Sequence, residues 1–201
     1  MEIFIAVTLV AFVVQILKAR EQRRRINLLG SYLGQHRIEK LMENLTQGYL
    51  RALGESDPER RAQIWSMLGT AEMELSDQFT RFAESFSKVW ADQTLVSKLA
   101  FAFPYADKLF PQATFDMRHA LTIHAQGIAA AAENRSNLSL RDKAFTMSAE
   151  LFLMQHTCHW FCRSKAVASA RMMARHKTSY AQLIESVAPQ TRAAYCQLAG
   201  C

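Results

Sequence analysis

Residues 3–25 read IFIAVTLVAFVVQILKAREQRRR, and this stretch decides how the rest of the chain is placed. From Ile3 to Leu17 no residue is charged. A helix over these fifteen positions rises about 22 Å at ~1.5 Å per residue. The hydrocarbon core of a bilayer is ~30 Å thick, and basic side chains that extend outward from the helix end close most of the difference. The stretch is therefore long enough to span a membrane if the bilayer thins locally.

We predict that this segment is a membrane anchor that stays in the protein. A cleaved secretory signal needs positive charge before the apolar run and small residues after it, and neither is found here. An alternative is a buried helix of a bundle without a membrane, because shorter apolar runs usually belong to such cores. The side chains predicted to enter the bilayer are Ile3, Phe4, Val7, Leu9, Phe12, Val13, Val14, Ile16 and Leu17.

The orientation of this helix follows from the charges on its two sides. The preceding side carries only Glu2, whereas the following eight residues hold five bases and one acid. Flanks rich in Lys and Arg stay in the cytoplasm. The domain after the helix is therefore expected on the cytoplasmic side of an inner membrane, and the basic flank consists of Lys18, Arg20, Arg23, Arg24 and Arg25.

One stripe of the predicted anchor carries small and polar residues. Thr8 and Gln15 lie two helical turns apart with Ala11 between them. Such stripes hold spanning helices together through close packing and hydrogen bonds. Self-association through this stripe is one hypothesis, and toleration of two isolated polar residues in a single anchor is the other.

The remaining chain has the composition of one helical domain. Only seven Gly and four Pro occur in 201 residues, too few turn residues for a fold of many strands. No segment of useful length alternates as a strand does. We predict an all-α fold in which an N-terminal transmembrane helix with its basic flank, residues 1–25, is followed by a bundle of long antiparallel helices in residues 26–201.

Apolar spacing and turn residues predict where the bundle helices begin and end. A stripe of large apolar side chains after Pro58, widened by Trp65 and Trp90, is assigned to the core rather than to a cofactor site. Gly54 is expected to end the preceding helix in a left-handed conformation. The expected helices span about residues 38–53, about 35 to 40 residues from Pro58, a stretch from Pro111 to near Asn134, about residues 140–178, and a short C-terminal segment.

Residues 94–111, TLVSKLAFAFPYADKLFP, are apolar but contain charges and Pro104. A second span is therefore not expected there. We expect the large side chains of this segment to fill one end of the bundle. If they are exposed instead, they form a docking patch or a wedge that enters a membrane. They are Phe101, Phe103, Tyr105, Leu109 and Phe110.

The net charge of +6 is unevenly distributed. Residues 55–92 hold eight acids against four bases, whereas five bases and no acid lie between Glu150 and Glu185. The expected arrangement places the acidic and basic helices side by side. The alternative places the basic stretch near anionic lipid headgroups. Nucleic-acid binding is not supported, because no recognisable binding motif accompanies the charge.

The one cluster of chemically versatile side chains is QHTCHWFC, residues 155–162. Its cysteines are four residues apart on one helix face, and the C-terminus supplies two more thiols. Burial as small apolar side chains is the favoured interpretation. Zinc coordination by four thiolates and a redox-sensing pair are the alternatives, and the residues concerned are Cys158, Cys162, Cys196 and Cys201.

No catalytic signature is visible in the chain. Paired Glu and His of the di-iron type, a glycine-rich phosphate loop and a nucleophile elbow are all missing, and no small-molecule substrate is indicated. We expect a non-catalytic interaction or scaffold protein whose partners are membrane lipids and either another protein or a second copy. The alternatives are a metal-binding or thiol-redox regulator and a membrane enzyme without readable motifs.

Overall fold

The computed structural model describes all 201 residues and confirms the all-α class. Ten α-helices are joined by short connections, and two three-residue strands pair antiparallel. The helices are α1 (Glu2–Leu33), α2 (Ile38–Gly54), α3 (Pro58–Phe86), α4 (Ala91–Thr94), α5 (Ala106–Leu109), α6 (Met117–Ala132), α7 (Leu140–Cys162), α8 (Lys165–His176), α9 (Tyr180–Ser186) and α10 (Pro189–Ala199), and the strands are β1 (Leu95–Ser97) and β2 (Thr114–Asp116).

The first helix is longer than the apolar run that begins it. α1 continues without a break through Gly30 to Leu33, so the predicted boundary between anchor and domain, after Arg25, lies inside one helix. The chain then turns at Gly34, whose N–H donates to the carbonyl of Gly30 at 2.9 Å. α1 and α2 therefore form a column with one bend, between Leu33 and Ile38.

Aromatic contacts show that α3 runs antiparallel to this column. Trp65, near the start of α3, lies 6.1 Å from the ring of Tyr49 in α2. Phe86, at the end of α3, lies 5.4 Å from the ring of Tyr32 in α1. α6 packs between α3 and α7, and α10 packs on α6. The predicted arrangement of long antiparallel helices is present.

The aromatic stripe of α3 lies in the core, as predicted. Phe79, Phe82 and Phe86 are fully buried, and the Phe82 ring lies 5.5 Å and 6.0 Å from its two neighbours. Trp90 does not widen this stripe. It lies beyond the end of the helix and is 78% exposed.

Three predicted helices are shorter than expected because polar groups interrupt them. α3 ends at Phe86, and the Ser87 hydroxyl donates to the carbonyl of Glu84 at 2.7 Å. The predicted helix over about residues 140–178 is two helices, because the Ser164 side chain accepts from the N–H of Val167 and starts α8. The helix expected from Pro111 begins at Met117, where the Asp116 carboxylate caps it.

Two further expectations are wrong. Gly54 does not adopt a left-handed conformation, and the chain leaves α2 through an extended Glu55. A small sheet forms where none is expected, with Val96 paired to Phe115. Three-residue strands are too short to show an alternating pattern, so the sequence carries no signal for them.

We expect Phe82→Ala to lower the free energy of unfolding by about 3–5 kcal/mol, because it leaves a cavity among buried rings. Trp90→Ala is the matched control on an exposed ring and is expected to change stability by no more than ~0.5 kcal/mol. Urea unfolding of the full chain in detergent micelles, followed by circular dichroism, measures both. Equal losses in the two variants contradict this assignment of the core.

Candidate membrane-binding site

The first half of α1 lies outside the bundle. The helix is long and apolar enough to span a membrane, and no residue in its most apolar eighteen-residue stretch is buried. Phe12 and Val13 are 64% and 51% exposed. The alternative that the sequence leaves open, a helix buried in the bundle, is therefore not what the structure shows. Val14 and Leu17 are half-buried, and the other predicted anchor side chains, Ile3, Phe4, Val7, Leu9 and Ile16, are exposed.

Thr8 introduces no unpaired polar group into this surface. Its hydroxyl donates to the carbonyl of Phe4 at 2.8 Å, one turn earlier in the same helix. A threonine bonded in this way is tolerated in an apolar environment without a partner from another helix. The polar stripe with Ala11 and Gln15 is exposed, and self-association through it stays a prediction.

The basic flank divides into two groups. Arg20, Arg23 and Arg24 are exposed, whereas Arg25 points into the bundle. The Arg25 guanidinium lies 2.9 Å from Glu21, donates to the carbonyl of Phe161 at 3.4 Å and lies 5.4 Å from the centre of that residue's ring. It also approaches the buried Asp107 at 3.8 Å. Arg25 thus connects α1 to the bundle, and Lys18 is half-buried beside it.

The segment that the sequence places at the end of the bundle is largely exposed. We name residues 99–110 the aromatic loop. Phe101 is 77% exposed, and Phe103, Tyr105, Leu109 and Phe110 are each about half exposed. The expectation that these side chains fill the end of the bundle is therefore wrong.

The aromatic loop is fixed beside the basic flank by polar contacts. The N–H of Tyr105 donates to the Glu21 carboxylate at 3.1 Å. The N–H of Ala166, at the start of α8, donates to the carbonyl of Ala100 at 2.9 Å. Arg163 donates to the side-chain oxygen of Gln22 at 2.6 Å. The loop, the end of α7 and the start of α8 therefore meet α1 just past its apolar run.

The expected pairing of acidic and basic helices is not found. α3 packs on α2 and α6, whereas α8 packs on α7. No ion pair joins the acids of residues 55–92 to the bases between Arg163 and Lys177. Lys165 instead lies over the rings of Trp160 and Tyr180, at 5.0 Å and 4.6 Å. The basic stretch begins at the same end of the bundle as the basic flank.

The four cysteines do not form a common site. Cys158 and Cys162 lie on α7, Cys196 lies on α10, and no three side chains of His, Cys, Asp or Glu are placed to hold a metal. The Cys158 thiol lies 3.8 Å from the sulfur of Met154, and Cys201 lies 3.5 Å from the hydroxyl of Tyr180. Burial raises the pKa of Cys162 and of Cys196 to about 11, so both thiols stay protonated near pH 7. Protonated thiols are poor metal ligands and poor nucleophiles.

A cluster of buried polar side chains that the sequence did not single out joins α6, α7 and α10. His124 lies 2.9 Å from the Thr157 hydroxyl, which lies 2.8 Å from the hydroxyl of Tyr195. Burial, followed by the nearby His156, lowers the pKa of His124 to about 3. The imidazole is therefore neutral at pH 7, and the cluster serves to connect three helices.

Glu150 holds the C-terminal helix in place. It is fully buried, and its carboxylate accepts from the N–H of Ala188 at 3.0 Å, at the start of α10. A Cβ added to Gly127 would lie 2.4 Å from the other carboxylate oxygen, so a side chain at this position would force the Glu150 carboxylate to move. Burial raises the pKa of Glu150 to about 7, although the Ala188 N–H opposes this shift. A lone Glu among apolar residues of α7 is the sequence signal that could have identified it.

Comparison of the chain with protein-family models, curated proteins and solved structures finds no match. The candidate site therefore rests on its own geometry.

We expect the stability difference between the wild-type protein and Glu150→Gln to depend on pH. The pKa of Glu150 rises from 4.5 in the unfolded chain to about 7 in the folded one, so the folded state holds a proton that the unfolded state loses. Stability from this group is complete below pH 4.5 and is lost as the pH rises through 7. The glutamine of the variant cannot lose a proton, so the variant lacks this pH dependence. The free energy of unfolding of the wild type, measured relative to that of the variant, should therefore fall by roughly 3 kcal/mol as the pH rises from below 4.5 to above 7.

Urea unfolding of both proteins across that pH range measures the difference, and the titration of buried histidines cancels because both proteins share it. A difference that is equal at pH 5 and pH 8 contradicts the raised pKa of Glu150.

We expect the purified full chain and Cys158→Ser to contain the same trace amount of zinc, because the four thiols are dispersed. Elemental analysis after dialysis against a weak chelator measures this. One equivalent of zinc in the wild type that disappears in the variant would instead support the metal hypothesis.

Proposed function

We propose that this protein is a membrane-anchored, non-catalytic interaction protein, in which α1 crosses an inner membrane once and the bundle lies on the cytoplasmic side. The observation that carries the proposal is the exposure of the apolar half of α1. In water, exposed apolar surface costs about 25 cal/mol per Å², and the bundle buries none of these side chains fully. A bilayer removes this cost for the whole segment.

The distribution of bases supports the cytoplasmic orientation. Arg20, Arg23 and Arg24 are free to face anionic headgroups, while Glu21 is engaged with Arg25 and Tyr105. Each exposed base adjacent to such a surface contributes about 1 kcal/mol of attraction. Arg163, which is exposed at the same level, adds to this group.

An apolar groove at the opposite end supports the interaction role. Leu50 and Leu53 of α2 and Phe145 of α7 line it, and all three are exposed. α7 runs antiparallel to α1, because its last turn meets Arg25 while its first turns lie beside the end of α2. The groove therefore lies far from the anchor, where a protein partner or the same groove of a second copy reaches it. We name it the distal groove.

We expect a double substitution, Val10→Arg with Val13→Arg, to release the protein from membranes. An arginine near the centre of a spanning helix costs about 2.5–3.5 kcal/mol, so two prevent stable insertion. Met67→Arg with Met73→Arg is the matched control, because it places the same two charges on exposed methionines of α3, outside the distal groove. Alkaline carbonate extraction of membranes measures retention, and a wild-type chain that is extracted contradicts the anchor.

Fusions at the C-terminus test the orientation. A green fluorescent protein fusion is expected to be bright and an alkaline phosphatase fusion inactive, because the first folds in the cytoplasm and the second outside it. Active phosphatase contradicts the proposed orientation while leaving the anchor intact.

A further inference from the structure

We propose that the aromatic loop is a second membrane contact, in which its exposed side chains enter the headgroup region of the same bilayer that α1 crosses. The side chains are Leu99, Phe101, Phe103, Tyr105, Leu109 and Phe110. This inference rests on the proposed anchor, and it adds that the bundle is held against the lipid surface at a fixed face.

The depth of the loop follows from its contacts with α1. Glu21, which accepts from the N–H of Tyr105, lies four residues beyond Leu17, or about 6 Å further along the helix. Phe101 lines the same small cavity as Lys18, the first residue after the apolar run. The polar zone on each side of a bilayer is roughly 5–8 Å thick. When Leu17 reaches the edge of the hydrocarbon core, the loop therefore lies within the headgroups.

The chemistry of the loop fits that depth. Tyr is enriched at the boundary between headgroups and hydrocarbon, and Phe and Leu are typical of the apolar faces that enter the membrane at this depth. Both acids near the loop are turned away from its surface, because Asp107 is buried and Glu21 is engaged with Arg25. The exposed charges beside the loop are basic, with Lys108 on it and Arg163 adjacent. An apolar surface with a basic border favours anionic lipid over a basic or neutral protein partner.

The backbone holds the loop in this presentation. Tyr105 adopts a left-handed conformation, with φ of 57°, which is unfavourable for a residue with a side chain. The contact of its N–H with Glu21 offsets this cost, and the N–H groups of Lys108 and Leu109 close on its carbonyl at 3.0 Å. The exposed side chains of the aromatic loop are therefore already positioned in the absence of a membrane.

Photocrosslinking in liposomes tests the inference. The full-length chain carries p-benzoylphenylalanine in place of Phe101 or, as a matched control, in place of Phe145. Phe145 is 57% exposed and lies sixteen residues, about 24 Å along α7, from Phe161. The protein is reconstituted into vesicles of phosphatidylethanolamine and phosphatidylglycerol, irradiated and analysed by intact mass spectrometry.

We expect lipid adducts at position 101 in at least tenfold excess over position 145. Equal labelling at the two positions, or a crosslinked dimer at position 101 without lipid adducts, overturns the inference. Carbonate extraction of the same vesicles separates this failure from failure of the anchor. A chain that stays in the vesicles but lacks the adduct has an anchor without the second contact, whereas a chain that is extracted has neither.

Discussion

The continuity of α1 between Leu17 and Arg25 is the constraint on which the arrangement of this protein depends. The helix contains no glycine or proline between Leu17 and Arg25, whose guanidinium joins it to the bundle. Because the helix is rigid, the depth of its apolar half in the membrane fixes the distance from the membrane of the elements that contact Glu21, Gln22 and Arg25. Those attachments are the aromatic loop, the end of α7 and the ring of Phe161. Had a flexible linker separated the two parts, the bundle would have been free to take any distance and tilt.

Burial of two ionisable groups shows how the bundle tolerates polar side chains in its interior. Glu72 accepts from the hydroxyl of Tyr49 at 2.6 Å and pairs with Lys143, so a carboxylate is matched within the core and joins α2, α3 and α7. Glu150 has no cation nearby and instead meets backbone N–H at the start of α10. Glu72 is matched by a base, whereas burial without a base raises the pKa of Glu150. The same residue type is therefore accommodated in the core in two ways, by an ion pair and by a shift toward the protonated form.

The sequence predicts the parts of this fold whose signals are long and periodic. The stripe of α3 repeats over about six turns, so its burial follows from spacing alone. The uncharged run at residues 3–17 likewise predicts a helix long and apolar enough to span a membrane. The sequence does not predict helix starts that depend on one capping side chain. These are the starts of α8 at Ser164 and of α6 at Asp116. The exposure of the aromatic loop is not predicted for another reason. Composition shows that its residues are apolar, whereas their exposure depends on which other elements pack against them.

The polarity of the bundle follows from the same geometry. α7 connects the two ends, with Phe161 against Arg25 and Phe145 in the distal groove. If both α1 and the aromatic loop contact the bilayer, tilting of the bundle relative to the membrane is restricted, because the loop lies to one side of the axis of α1. A single helix alone fixes depth but leaves the tilt of the bundle free. Two contacts fix both, and the distal groove then lies at a constant distance from the lipid. A partner bound there would lose less orientational freedom on encountering a second membrane-bound protein than it would on a freely tilting domain.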